Sequence, residues 1–134
     1  KVHLYSFFGS DIVVAVGTEW CPGCNTAASE LPAEMEELAG KDAVVIELVY
    51  QDNSRNPADV DTLARWRDKH GLGDAHIPSV TFHDDWATGD DYNLEAYRFD
   101  HDGYIPSFFH IGPDMTVLVA DSSSAMDSLF SAVD

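Results

Sequence analysis

Residues 12–24 read IVVAVGTEWCPGC and combine an apolar run with two closely spaced cysteines. The first five residues form an unbroken apolar run, which is typical of a β-strand buried on both faces. Behind the cysteines, the spacing of Ala28, Leu31 and Leu38 is that of an α-helix with one apolar face. The sequence therefore predicts a buried strand that passes directly into a helix, with a Cys-x-x-Cys pair at the junction.

The rest of the chain continues this alternation of strands and helices. The other predicted strands are Val2–Leu4, Ala43–Tyr50, Val80–His83, Ser107–Ile111 and Met115–Ala120, the last two joined by a turn at Gly112, Pro113 and Asp114. The other predicted helices are Pro57–His70, Asn93–Arg98 and a closing helix from Ser122 to Val133. This order predicts the α/β class, with a mixed central sheet and helices on both faces, in a single domain over residues 1–134.

The second helix carries the clearest end signals. Asn56 is predicted as its N-cap, Pro57 as its first residue and Gly71 as its C-terminal stop. Its predicted buried stripe consists of Val60, Leu63, Ala64 and Arg67.

The charge of the chain limits its partners. Twenty-four Asp and Glu against seven Lys and Arg give a formal net charge of −17, which repels phosphate backbones and anionic lipid. No stretch approaches the roughly 20 apolar residues of a membrane span. We therefore expect a monomer that neither binds nucleic acid nor inserts into a membrane. Its start at Lys1, without a methionine, is that expected of a trimmed N-terminus.

Cys21 and Cys24 are the only cysteines of the chain, so thiol chemistry must use them as one pair. The thiolate is the nucleophile in thiol exchange, and a free thiol with a pKa of about 8.5 is mostly protonated at neutral pH. A helix N-terminus favours the anion, and Pro22 suits a first turn because it has no N–H to lose. We assign Cys21, at the exposed helix tip, as the attacking thiol. Cys24, about one turn later, is the resolving thiol.

A Cys-x-x-Cys pair is only moderately specific, and other readings stay open. It can be a structural disulfide, or half of a zinc site, although the six histidines show no paired spacing that would supply two more ligands. It can also bind a soft ion such as Cu(I) together with a histidine such as His110.

Beyond this pair, the chain resembles the thioredoxin superfamily, in particular the extracytoplasmic thiol-disulfide oxidoreductases related to cytochrome-maturation and peroxiredoxin-like proteins, the redoxin branch. The resemblance centres on residues 18–24, TEWCPGC, and resumes at residues 104–109, YIPSFF. It implies a thioredoxin-like fold with an extra strand and helix inserted before the second segment, and an extracytoplasmic location. It also implies exchange with protein thiols or disulfides and an upstream reductase or oxidase, with no metal and no cofactor besides the Cys21–Cys24 disulfide.

The resemblance also implies roles for the neighbours of the cysteines. Family members carry a cis-proline that faces the cysteine pair, and the residue before it offers backbone groups to the partner chain. These positions fall on Pro106 and Ile105, whereas Pro78 is expected in an ordinary trans turn. The residues that the resemblance predicts around the cysteines are Trp20, Pro22, Gly23, Ile105 and Pro106.

Two departures from the family bear on mechanism. Many members carry a buried acid or Asn six residues before the first cysteine, where this chain has Ala15, so Glu19 and Glu30 are the candidates for a proton partner. Thr18 also resembles the threonine that supports the thiolate of peroxiredoxins, but Val14 stands where their proline is expected, and naming Arg98 as the arginine partner is a guess. The sequence thus predicts a thiol-disulfide oxidoreductase, with a thiol peroxidase and a copper-handling protein as alternatives.

Overall fold

The computed structural model describes residues 3–38, 40–72, 76–79 and 104–120. The strands are β1 Asp11–Gly17, β2 Ala43–Val49, β3 His76–Ser79, β4 Ser107–Ile111 and β5 Val117–Val119, and the helices are a 3-10 helix Leu4–Phe7, α1 Pro22–Glu37 and α2 Val60–His70. The predicted strand Val80–His83, the predicted helix Asn93–Arg98 and the predicted closing helix lie outside the described residues.

β1 is the central strand of a five-stranded sheet with the order β3-β2-β1-β4-β5. It runs parallel to β2 and antiparallel to β4, and the two outer pairs are β2 with β3, parallel, and β4 with β5, antiparallel. Every residue of β1 after Asp11 is buried, which explains its unbroken apolar run. The predicted α/β class with a mixed sheet is confirmed.

Both described α-helices cover the same face of this sheet. Leu31 and Leu38 of α1 pack with Val13 and Val45, which point to this face from β1 and β2. Burial of one leucine side chain stabilises the fold by roughly 1.5–3 kcal/mol. The opposite face carries the alternate residues of the strands and packs against Leu4 and Phe7 of the 3-10 helix. Within the described residues, neither helix combines the length and apolar character that a bilayer span requires.

The predicted strand Val2–Leu4 is wrong, because a 3-10 helix begins at Leu4. The Ser6 N–H donates to the His3 carbonyl at 2.9 Å, which is the i to i−3 bond of a tight turn. In such a turn side chains three apart lie on one side, so Leu4 and Phe7 reach the sheet together.

α2 begins later than the sequence predicts. Asp59, not Asn56, is its N-cap, and the helix starts at Val60 instead of Pro57. The Asp59 carboxylate accepts a hydrogen bond from the Thr62 N–H at 2.9 Å, and the Thr62 hydroxyl oxygen accepts one from the Asp59 N–H at 3.3 Å. This reciprocal capping box satisfies two backbone groups at once and decides the helix start.

The buried stripe of α2 also differs from the prediction. Thr62, Trp66 and His70 are its buried residues, spaced by four, whereas Val60 is 66% exposed. The stripe that contains the tryptophan buries the largest apolar area, and this decides which side of the helix faces the core.

Pro78 does not lie in a turn before the next strand, as predicted, but within β3, where its register partner is Glu47. Proline has no N–H to donate and is therefore tolerated at the edge of a sheet, and β3 is the edge strand of the described sheet. At the other edge, the predicted turn after β4 is present, because the Met115 N–H donates to the Gly112 carbonyl at 2.9 Å. β5 then begins at Val117, two residues later than predicted.

The capping box of α2 can be tested by Asp59→Ala. We expect this change to lower the free energy of unfolding by about 1 kcal/mol, because the Thr62 N–H loses its acceptor at the helix start. Urea unfolding followed by tryptophan fluorescence measures the loss. Asp68→Ala, an exposed position in the body of α2, is the control and should stay within about 0.5 kcal/mol of the wild type. Equal losses in the two variants would contradict the capping assignment.

Candidate active site

Cys21 occupies the N-cap of α1, directly after the turn that follows β1. Its Sγ accepts a hydrogen bond from the Cys24 N–H at 3.1 Å, and Pro22 is the first helical residue. A sulfur at this position faces the free N–H groups and the positive end of the helix dipole, both of which stabilise an anion. The local sequence thus places the first sulfur where a thiolate is favoured.

Cys21 and Cys24 form a disulfide, with their Cα atoms 5.2 Å apart. The predicted contrast in exposure between them is wrong for this state, because Cys21 is 5% and Cys24 3% exposed. Trp20 and Ile105 pack against the apolar cluster that holds both cysteines. The assignment of Cys21 as the attacking thiol therefore depends on its N-cap position and not on exposure.

Pro106 lies beside the cysteine pair, and the Ile105–Pro106 peptide bond is cis. A Cβ added to Gly23 would lie 3.2 Å from Pro106 Cδ, so the absence of a side chain permits this close approach. The Sγ of Cys21 lies 3.9 Å from the Ile105 carbonyl oxygen. The structure thus brings Gly23, Ile105 and Pro106 together around Cys21.

Gly17, the last residue of β1, makes room for the second sulfur. A Cβ at this position would lie 2.9 Å from the Cys24 Sγ and 3.0 Å from its Cβ, which is closer than van der Waals contact allows. The helix can therefore pack its first turn directly on the end of the strand, and Cys24 is held against the sheet.

Trp20 packs against the cluster that contains the disulfide. Its indole Nε1–H donates to Gln51 Oε1 at 2.9 Å, and the Arg55 guanidinium lies 4.5 Å from the ring centroid. A cation over an indole ring is attracted by the ring quadrupole. These two contacts fix the indole beside the cysteines.

The structure does not bring the two predicted proton partners to the cysteines. The buried Glu19 carboxylate accepts two bonds from Arg65, at 3.1 and 3.0 Å, and one from the Asn53 N–H at 3.1 Å. These hydrogen bonds occupy both carboxylate oxygens of Glu19 and connect it to the loop at Asn53 and to α2 at Arg65. Glu30 is an exposed residue of α1. Neither side chain lines the space next to the sulfur of Cys24.

Glu47 is the carboxylate that the sequence reasoning missed. It is 4% exposed, its register partner on β1 is Ala15, and its Oε2 accepts a hydrogen bond from the Trp66 indole at 3.1 Å. Burial raises the pKa of Glu47 to about 7, and the Trp66 hydrogen bond partly opposes this shift. The signal that could have found it is a single acid within the apolar run AVVIELV of β2.

A small cavity joins Glu47 to the second cysteine, and we call it the cysteine cavity. Its lining includes Gly17, Cys24, Glu47, Trp66 and Pro106. Its volume is about 20 Å³, and roughly 10–15 Å³ of such space holds one water molecule. The cysteine cavity is therefore large enough to hold one water molecule beside Glu47 and Cys24.

His110 does not lie beside the cysteines, so it cannot complete a copper site with them. The side chain is fully buried in β4, and its Nε2 lies 2.7 Å from Asp11 Oδ1 at the start of β1. The cysteines follow the opposite end of that strand. Within the described ranges, His, Cys, Asp and Glu form no group of three or more that can hold a metal ion.

Thr18, the predicted peroxidase-like residue, is buried three positions before Cys21. Its carbonyl accepts a hydrogen bond from the Cys21 N–H at 3.3 Å. Its hydroxyl is the buried side-chain group that lacks a hydrogen-bond partner within the described residues. The predicted arginine, Arg98, lies outside the described residues.

Solved structures of other proteins have a fold similar to that of this chain. The thioredoxin domain of a thiol-disulfide oxidoreductase from Bacteroides vulgatus superposes with a TM-score of 0.70 and 12% identity, over 99% of this chain and 86% of that one. A secreted Mycobacterium tuberculosis disulfide oxidoreductase homologous to E. coli DsbE gives a TM-score of 0.62 and 20% identity, over 96% and 84%. A thioredoxin-like protein from Aeropyrum pernix gives 0.68 and 16%, over 98% and 83%. The fold is thioredoxin-like.

Residues 1–120 match the AhpC/TSA family, which is most of the 134 residues. The chain belongs to the AhpC/TSA family. Among curated protein sequences, none matches it significantly. The resemblance to the redoxin branch of the thioredoxin superfamily is confirmed.

The buried carboxyl of Glu47 predicts a pH-dependent stability. Its pKa rises from 4.5 to about 7 on folding, so the folded protein binds this proton more tightly than the unfolded chain. The stability that this proton contributes is complete below the unfolded pKa and is lost as the pH rises through the folded pKa. The loss amounts to on the order of 3 kcal/mol.

Glu47→Gln carries no such proton, so its stability relative to the wild type should rise as the pH increases from about 4.5 to above 7. Urea unfolding of both oxidised proteins across this range measures the difference. Glu36→Gln removes an exposed carboxyl from α1 and controls for the change in net charge. A stability difference between Glu47→Gln and the wild type that stays constant with pH would contradict the burial of an ionisable group.

Proposed function

We propose that this protein is a thiol-disulfide oxidoreductase that exchanges the Cys21–Cys24 dithiol and disulfide with a protein partner. The observation that carries the proposal is the disulfide at the N-terminus of α1, with Cys21 as N-cap and the Cys24 N–H directed at its sulfur. Membership of the AhpC/TSA family and a thioredoxin-like fold support the same chemistry. The named neighbours include two disulfide oxidoreductases.

The first step uses the stabilised thiolate of Cys21. It attacks one sulfur of a partner disulfide, a Cys21–partner bond forms, and the other partner sulfur leaves as a thiolate. The hydrogen bond from Cys24 N–H and the helix dipole lower the free energy of the Cys21 thiolate relative to the thiol. This raises the fraction of Cys21 that can attack at neutral pH.

The second step uses Cys24. Its thiolate attacks Cys21 Sγ in the mixed disulfide, the Cys21–Cys24 bond forms again, and the partner sulfur leaves reduced. Three residues of separation place the two Cα atoms 5.2 Å apart, about one helical turn, and at this distance the two sulfurs can bond. The reverse sequence of steps oxidises a partner dithiol.

The partner chain is proposed to approach at Ile105 and Pro106. The Ile105 carbonyl lies next to the Cys21 sulfur, and Tyr104 beside it is 77% exposed. An extended partner segment can pair with backbone groups here while its sulfur reaches Cys21, as in other strand-addition complexes. Trp20 provides an apolar surface beside the same sulfur.

Insulin reduction with dithiothreitol tests the proposed activity. The wild type should accelerate the reaction, and Cys21→Ser should return it to the uncatalysed rate because the attacking sulfur is gone. Cys24→Ser is the matched control, since the same substitution on the other sulfur preserves the attack and prevents release. When it is reduced, freed of dithiothreitol and then mixed with insulin, it should accumulate a mixed disulfide, which mass spectrometry detects. Full activity of Cys21→Ser would rule out the proposal.

A thiol peroxidase is the second candidate, and the unpartnered buried hydroxyl of Thr18 is the observation that favours it. After reduction, this hydroxyl could donate to a thiolate or a bound peroxide near Cys21. Hydrogen peroxide consumption by the reduced protein distinguishes the two functions. Turnover of peroxide that Thr18→Val reduces at least tenfold, without insulin reduction, would favour the peroxidase.

A further inference from the structure

We propose that Glu47 exchanges a proton with Cys24 during disulfide exchange, through the cysteine cavity that both side chains line. This inference rests on the proposed exchange chemistry at Cys21 and Cys24. It adds a proton-exchanging residue from β2, a strand that carries no part of the Cys-x-x-Cys motif.

The sheet register carries Glu47 to this position. Glu47 is paired with Ala15, and Val49 two residues later is paired with Gly17, the residue whose missing side chain admits Cys24. Residues two apart on a strand point to the same face, so the Glu47 side chain points to the α1 side, beneath the first turn of the helix. The small side chain of Ala15 leaves room for it.

A hydrogen bond holds one carboxylate oxygen of Glu47, and the carboxylate can accept further hydrogen bonds. The Trp66 indole donates to Oε2, and a carboxylate accepts up to about four hydrogen bonds. The indole therefore orients the carboxyl while leaving acceptor positions for a water in the cysteine cavity. Such a water needs polar partners, and the Glu47 carboxyl and the Cys24 sulfur can supply them.

Few ionisable groups face Glu47 from the elements packed against it. α1 contributes Cys24, and the β1 and β4 residues of the cavity are apolar. α2 contributes His70, whose ring contacts that of Trp66 with centroids 4.4 Å apart. Burial and, to a smaller extent, the charge of Lys69 lower the pKa of His70. No described cation therefore lines the cysteine cavity to hold Glu47 ionised.

The protonation equilibrium of Glu47 suits this exchange. Burial raises its pKa to about 7, closer to the thiol value of about 8.5 than an exposed carboxyl would be. Proton transfer is most efficient when the donor and acceptor have similar pKa values near the working pH. Glu19, in contrast, is held by Arg65 and lies outside the cavity.

In the resolving step, the Glu47 carboxylate takes the proton of the Cys24 thiol. The Cys24 thiolate attacks the Cys21 sulfur of the mixed disulfide, and the bond between Cys21 and the partner breaks. Its electron pair leaves with the partner sulfur, which is reduced to a thiolate, while the two cysteines are oxidised to a disulfide. The proton on Glu47 then passes to water. In the reverse direction, the Glu47 carboxylic acid protonates the departing Cys24 thiolate.

The test separates the two cysteine steps. Reduced protein is mixed in a stopped-flow instrument with one equivalent of dithiobis(nitrobenzoate), and the released aromatic thiolate is followed by absorbance. Attack by Cys21 gives the first phase, and displacement by Cys24 gives the second, concentration-independent phase. In the wild type, the second-phase rate should rise with pH with a midpoint close to 7.

Glu47→Gln preserves the shape and an acceptor for Trp66, but it cannot take a proton. Its second phase should be about 10²-fold slower at neutral pH and should approach the wild-type rate only where the Cys24 thiol ionises by itself. Its first phase should stay within about threefold of the wild type, as should both phases of the exposed control Glu36→Gln. A wild-type second phase and pH profile in Glu47→Gln would overturn the proposal. If the reduced wild type showed no first phase, the proposed exchange function itself would be overturned.

Trp66→Phe keeps the carboxyl and gives an independent test if Glu47→Gln does not fold. The indole hydrogen bond lowers the pKa of Glu47, so its removal should shift the midpoint of the second phase to higher pH. An unshifted midpoint in a folded Trp66→Phe variant would also overturn the proposal.

Discussion

The site depends on one packing constraint, the direct contact between the end of β1 and the first turn of α1. Gly17 provides it, because its missing side chain admits the Cys24 sulfur. Once the helix begins there, Cys21 becomes its N-cap, and the free N–H groups of the first turn face a sulfur. The same junction that buries Leu31 in the core therefore creates an environment for a thiolate.

The second constraint is electrostatic, because two glutamates, Glu19 and Glu47, are buried near the cysteines. Glu19 is buried, and its bidentate guanidinium partner, Arg65, offsets the cost of removing its carboxyl group from water. Glu47 is buried without a cation, and its pKa rises to about 7 instead. Two buried glutamates near one site are thus suited to different tasks, one to hold the loop after the strand and one to exchange a proton.

The sequence predicts the elements whose signals are local and misses what depends on contacts between them. β1, α1, β4 and the cysteine pair follow from apolar runs, helical spacing and a Cys-x-x-Cys motif. The start of α2 was missed because Asn56-Pro57 and Asp59 compete as starts, and only the reciprocal bonds of Thr62 decide between them. Glu47 was missed because its importance depends on register with Ala15 on another strand. His110 was predicted as a possible metal ligand beside the cysteines, but it contacts Asp11 at the other end of β1. The sequence around His110 or Asp11 does not reveal this contact.

The proposed function requires that Cys21 and Cys24 form a redox-active pair and not a structural bridge. The equilibrium of the oxidised and reduced protein in glutathione or dithiothreitol buffers, followed by alkylation and mass spectrometry, tests it most directly. We expect one two-electron transition between about −270 and −120 mV, the range of catalytic dithiols. A disulfide that stays oxidised below about −300 mV would be structural, and the pair would then have no redox role.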